Sequence, residues 1–172
     1  MSKAKYQFED FFISVNDDSK DFVITVHEML LQQDYKCKVQ FTKSNGLQVS
    51  YSEPKIKVVK GIIVYFFIRN ERLMIRINAD HHAAYPDALN RLPEHMVSQI
   101  GRADDCIKMI DPSRCWQGCM GHDFHIRGTR YQKCRVNCFL FDIDPESVPF
   151  LLALIECESK ERQARLLAPG VV

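Results

Sequence analysis

YKCKVQFTKSNGLQVSY, residues 35–51, alternates with a period of two. Tyr35, Cys37, Val39 and Phe41 interleave with Lys36, Lys38, Gln40 and Thr42, and Leu47, Val49 and Tyr51 interleave with Gln48, Ser50 and Ser52. Successive side chains of a strand point to opposite faces, so each run has one face to bury. Lys43-Ser44-Asn45-Gly46 lies between the runs, and Asn45-Gly46 is expected to supply the positive φ angles of a hairpin turn. Cys37 falls on the buried face, where a thiol packs as a small apolar group.

Outward from this hairpin, the pattern adds strands on one side and helices on the other. Pro54 breaks the chain, and the apolar stretch Val58 to Arg69 reads as a central strand. Asn70-Glu71 turns it into Arg72 to Asn78, where Leu73, Ile75 and Ile77 alternate with Arg72, Met74 and Arg76. Four strands in succession predict an antiparallel meander. Upstream, Tyr6 to Val15 fits a short amphipathic helix. Asn16-Asp17-Asp18-Ser19 offers caps for a second helix to about Gln33, with Phe22, Val26, Met29, Leu30 and Gln33 on one face. His27 and Glu28 beside that face form an ordinary, partly exposed pair. Downstream, His81 and His82 sit at a loop edge, since adjacent strand residues face opposite ways and chelate one ion poorly. Pro93 to Arg102 forms a helix around Met96, Val97 and Ile100. Phe139, Phe141 and Ile143 continue a strand, and Asp144-Pro145 opens a final helix to about Arg165. Val148, Leu151, Leu152 and Ile155 face inward on that helix, with Cys157 packed at the edge of the stripe.

The expectation is a single α+β domain over residues 1–172. It has an antiparallel sheet of five or six strands, helices on one face, and a cysteine-rich insert at about 104–138. Phe41, Val49, Val64, Phe66 and Ile75 are its expected core, with Met29, Ile100, Leu152 and Ile155 packed on the sheet. A chain of 172 residues with 46% hydrophobic and 26% charged residues can bury such a core. The net charge of +1 provides no global field for nucleic acid or membrane. The N-terminus shows no apolar run of signal-peptide length, and no stretch approaches a membrane span. A cytoplasmic location and reduced thiols are therefore expected. Seven cysteines, an odd number, also argue against a fully paired disulfide framework.

Five of those cysteines lie in CIKMIDPSRCWQGCMGHDFHIRGTRYQKCRVNC, residues 106–138, with His122, His125 and the only tryptophan, Trp116. The spacing is CX8C, CX3C, CX14C and CX3C, without the CX2C knuckles of a zinc ribbon. Zinc needs four ligands in a tetrahedron, with Zn–S near ~2.3 Å. The twin set Cys115, Cys119, Cys134 and Cys138 meets a difficulty if RYQKCRVNCFLFDI is extended, because four strand residues span roughly 13 Å. Cys106, Cys115, Cys119 and Cys134 are separated by turns at Asp111-Pro112 and Gly128-Thr129 and are the preferred ligands, with Cys138 and His122 as substitutes. Unligated packing thiols, or a redox or nucleophilic thiol such as Cys119 beside His122, are the other readings of the cluster.

GHDFHIRGTRYQKCRVNCFLFDI, preceded by CWQGCM and by YPDALNRLPEHM, resembles a group of small bacterial cysteine-rich proteins to which no activity is attached. Their pattern has two cysteines, a GY-F segment and a Y-KCR segment; here His122 stands in place of the aromatic. The helix-then-meander front half is similar to the MmcQ/YjbR-like proteins, which implies a frataxin-like α+β fold and transfers no site.

Arg127, Arg130, Lys133 and Arg135, interleaved with Phe124 and Tyr131, could contact nucleic-acid phosphates and stack on bases. Asp104, Asp105, Asp111 and Asp123 dilute that charge, and a solvated hairpin face is the simpler reading. Arg135 could instead support a thiolate. No Walker loop, dinucleotide glycine fingerprint, HEXXH or GXSXG is present. The function expected is a small zinc-stabilised cytoplasmic binding or regulatory protein without catalytic activity, acting on an unspecified protein or small-molecule partner. A thiol enzyme or redox sensor is the first alternative and a nucleic-acid-binding module the second.

Overall fold

A computed structural model describes residues 6–53 and 61–167. Pro54, the start of the expected third strand at 58–60 and the tail Ala168–Val172 lie outside the described residues. The chain divides into two compact units, Met1–Arg76 with Asp142–Val148 and Ile77–Phe141 with Pro149–Val172.

In the first unit, helix α1 (Phe8–Phe12) is shorter than the expected Tyr6–Val15. Ser14 and Val15 instead donate to carbonyls three residues back, which tightens the chain into turns. Helix α2 (Asp17–Gln32) follows Asn16, carries Asp17 and Asp18 in its first turn, and buries Phe22, Val23, Val26 and Leu30. It ends as a Schellman motif. Asp34 takes φ 64°, its N–H reaches the Leu31 carbonyl, and the Tyr35 N–H reaches that of Leu30.

Strands β1 (Lys36–Thr42) and β2 (Gly46–Ser52) pair antiparallel with Cys37 opposite Tyr51 and Val39 opposite Val49. Strand β2 pairs next with β3 (Ile62–Arg69), placing Val49 opposite Phe66. Gly46 alone takes positive φ (63°) in the first turn; Asn45 does not. Strand β4 (Arg72–Ile77) follows Asn70 and Glu71, whose φ angles of 50° and 62° give the mirror-type turn that a right-twisted hairpin needs. With β7 (Leu140–Asp142) the sheet order is β1-β2-β3-β4-β7. The Ile143 N–H donates to the Leu73 carbonyl and the Ile77 N–H to that of Phe139, an antiparallel register.

The expected core residues Val49, Val64, Phe66 and Ile75 are fully buried. Phe41 is not: it is 62% exposed. Alternation assigns a face, but Phe41 lies at the turn end of edge strand β1, opposite Leu47, where little covers that face. Cys37 on the same strand is half-buried.

In the second unit, Pro86 and Pro93 introduce α3 (Pro86–Asn90) and α4 (Glu94–Arg102), the latter burying Met96, Val97 and Ile100. Helix α5 (Ile107–Ile110) is a single turn with Cys106 at its N-cap position. Strands β5 (His122–Ile126) and β6 (Thr129–Lys133) form a separate two-stranded sheet and not a sixth strand of the main one. Arg127 and Gly128, with φ 50° and 81°, close that hairpin locally. Helix α6 (Val148–Leu167) begins three residues after the expected proline start, because Asp144 first caps the Ser147 N–H at 2.9 Å. Leu151, Leu154 and Ile155 are buried on it, and Leu152 only in part.

Phe66→Ala should cost about 3–5 kcal/mol by the loss of a buried ring, whereas Phe41→Ala should stay within about 0.5 kcal/mol as a surface change. Denaturant unfolding of both variants measures the difference, and equal losses would contradict this burial.

Candidate functional site

The cysteine-rich segment is shaped by contacts that involve no sulfur. Cys106 N–H donates to the Gln132 carbonyl at 3.0 Å and Cys134 N–H to that of Asp104 at 2.8 Å, on either side of an Asp105–Lys133 bridge. Asp111 caps a 3-10 turn at Pro112–Arg114, accepting the Ser113 N–H at 3.0 Å. Cys119 N–H closes a turn on the Trp116 carbonyl at 3.0 Å. Lys108 Nζ spans to the Trp116 and Gln117 carbonyls at 3.3 and 2.5 Å. Gly121 has φ 64°, and a Cβ there would lie 2.3 Å from Cys106 Sγ and 3.1 Å from Met109 Cε. Glycine is therefore required twice, by backbone angle and by the sulfur against it.

Two of the expected thiols, Cys115 and Cys119, are neighbours on one turn. They lie within electrostatic reach of each other, and Cys106 lies within reach of Cys115. Desolvation, and then the neighbouring Cys119, push the Cys115 thiol up from its ordinary value. Cys106 is buried, while Cys115 and Cys119 are half-buried. Cys134 and Cys106 are diagonal across the bridge, and diagonal neighbours in a ladder sit roughly 7–8 Å apart at Cα. Among the described residues, no three His, Cys, Asp or Glu side chains are grouped so as to hold a metal ion. The four-sulfur zinc set is thus not closed in this conformation.

The extended geometry expected between Cys134 and Cys138 is corrected. Cys138 N–H donates to the Cys134 carbonyl at 3.0 Å, so the two are one helical turn apart. Cys138 is set aside by burial, not by distance: its side chain is fully enclosed, which pushes its thiol far up.

The basic residues are engaged by the chain itself. Arg127 donates to the Asn90 and Leu92 carbonyls and to Glu94. Arg130 pairs with Asp123 at 2.9 and 2.5 Å. Lys133 Nζ reaches the Gly101 and Ala103 carbonyls and Asp105 at 2.8–2.9 Å. Arg135 forks onto Asp80 at 2.6 Å on both oxygens and lies within electrostatic reach of Cys119.

A polar centre beyond the expected residues surrounds α6. Buried Glu158 accepts from the His81 N–H, His81 Nδ1, the Tyr85 hydroxyl and Arg162 Nε at 2.7–3.0 Å. Beside it, His82 and His122 meet edge to face at 4.8 Å, walled by Phe124 and Phe139. His82 Nδ1 and His122 Nε2 are buried with no hydrogen-bond partner among the described residues. The i, i+4 pair Glu158–Arg162 on the inward side of α6 was the available sequence signal for this centre.

Comparison with protein-family models, curated proteins and solved structures returned no match to the chain. The chemistry must therefore be argued from these residues alone.

Desolvation, with the neighbouring His82, lowers His122 from 6.5 to about 4. A histidine lowered on folding favours the folded state fully above its unfolded value. It loses that contribution as pH falls from 6.5 to about 4. The full contribution is about 3 kcal/mol. Thermal melts at about pH 7 and pH 5 should show a clear loss in the wild type. His122→Phe should flatten that slope, and an unchanged slope would assign it to other groups.

Proposed function

We propose that this chain is a thiol-based regulatory or binding protein without catalytic activity, and that the Cys115–Cys119 pair is its working group. The observation that carries the reading is the turn closed by the Cys119 N–H on the Trp116 carbonyl, which holds two free, half-buried cysteines four residues apart on one loop. Thiols held on one closed turn need less movement to reach the specific geometry of a disulfide than thiols on a loose segment. An oxidised low-molecular-weight disulfide is the co-reactant. The Cys115 and Cys119 sulfurs join, their two protons and two electrons pass to the reagent, and it leaves as two thiols. A raised Cys115 thiol is a slow nucleophile at neutral pH, which argues against a catalytic role for it. The nucleic-acid reading has less support, because Arg127, Arg130, Lys133 and Arg135 already hold acceptors of the chain.

A structural zinc ion is the second reading, favoured by the proximity of Cys106 to the pair. It would require Cys134, or Cys138 or His122 in its place, to move in as fourth ligand. Elemental analysis with thiol counting, on protein purified without added metal, tests it. One zinc per chain, lost in Cys134→Ser, would establish this reading over the first.

Treatment of the reduced chain with glutathione disulfide, followed by peptide mapping, tests the redox reading. The expected product is an intramolecular Cys115–Cys119 disulfide, absent in Cys115→Ser and retained in Cys157→Ser. A stable glutathione adduct on Cys119 with no internal bond would overturn it.

A further inference from the structure

We propose that the outer edge of β1 pairs with the same edge of a second copy of this chain, antiparallel and about a two-fold axis at Val39. The proposal concerns the main sheet and is independent of the thiol loop. Strand β1 ends the order β1-β2-β3-β4-β7. Among the described residues, no backbone hydrogen bond reaches its outer side. Protected edges are commonly short or bulged. Strand β1 is neither: it has seven residues, and its register with β2 runs unbroken from Lys36 to Thr42.

The helix layer stops short of this edge. Val49 and Tyr51 on β2 are fully buried, but their cross-strand partners Val39 and Cys37 are only half-buried, and Phe41 is 62% exposed. Those three β1 side chains share one face of the strand. A helix overhanging the edge would bury them, so a neighbouring strand can approach without displacing one. Val39 and Phe41 are also of the β-branched and aromatic types that pair well across strands.

Charge and overlap select the register. A strand that pairs antiparallel with its own copy has one residue opposite itself, and the other pairs follow symmetrically about it. With Cys37 at the axis, Lys36 faces Lys38 of the second copy; with Lys36 or Lys38 at the axis, a lysine faces itself. Like charges directly opposite are destabilising. With Gln40, Phe41 or Thr42 at the axis, fewer strand residues overlap. Val39 is the middle of the strand, so an axis there pairs all seven residues, Lys36–Thr42, and sets no lysine against another. Lys36 then meets Thr42, Lys38 meets Gln40, and Cys37 meets Phe41, each of the second copy. Each Phe41 ring covers a half-buried thiol and lies toward the end of the other copy's α2, where Leu31 is 43% exposed.

The test is sedimentation velocity of the reduced full chain over a range of concentrations, with a thermal melt of each variant to check its fold. A monomer–dimer equilibrium is expected. Gln40→Glu sets a carboxylate against Lys38 of the second copy and should tighten the dimer several-fold, less so in high salt. Gln40→Lys opposes two lysines at two places in the dimer and should weaken it several-fold. Adding Lys38→Glu to Gln40→Lys should restore it. Phe41→Ala should also weaken the dimer and leave the melt of the dilute monomer unchanged. A chain that stays monomeric at its highest soluble concentration overturns the proposal and leaves Lys36 and Lys38 as protection of the edge. A dimer indifferent to both charges at position 40 overturns it too, because the copies then meet elsewhere. If Gln40→Lys fails to fold, Gln40→Glu alone decides.

Discussion

Glu158 is a charged group with no exposure, and the second unit is arranged to keep it charged. Burial alone would raise its pKa. Hydrogen bonds from His81, Tyr85 and Arg162, with the Arg162 charge, instead hold it at about 2. A buried carboxylate with one donor removed would keep its desolvation penalty and lose its compensation, so such groups tolerate no partial solution. The donors come from two places, the His81–Tyr85 segment and the next turn of α6. Satisfying Glu158 therefore fixes the position of one against the other.

The same charge sets a chain of alternating partners. Arg162, after contacting Glu158, donates to the Asn78 carbonyl at 2.9 Å and to Asp80 at 3.0 Å. Asp80 is then clamped bidentately by Arg135, whose fork geometry permits only one approach. Arg135 directly follows Cys134 and opens the turn that ends at Cys138. The orientation of the cysteine-bearing turn is thus a consequence of charge pairing that begins on α6. Fully satisfied polar networks of this kind specify one arrangement more than they add stability.

What was legible in the sequence was whatever periodicity encodes. The 35–51 hairpin, the Asn70-Glu71 turn and the buried faces of α2 and α4 follow from spacing alone. Coverage was not legible. Phe41 obeys the alternation yet stands exposed, because an edge strand has a face without a guarantee of a neighbour. The Cys134–Cys138 turn was hidden because the segment that follows it is a true strand, and the apolar pattern runs through both. Glu158 and Arg162 were read past because charged residues on a helix usually face water. Their spacing is that of an ordinary surface pair, and only the packed structure distinguishes a buried pair from an exposed one.

The thiol loop illustrates a different constraint. Its shape comes from Lys108 on two carbonyls, the Asp111 cap, the Cys119–Trp116 turn and the glycine angle at 121. None of these contacts uses a sulfur atom. The approach of Cys115 to Cys119 is therefore prepaid by the backbone, and whatever closes the pair need not supply the ordering that a floppy segment would require. The Cys134 backbone is meanwhile held in a ladder bond to Asp104. The order of the loop is thus set by its backbone and polar side chains, before any chemistry at its thiols.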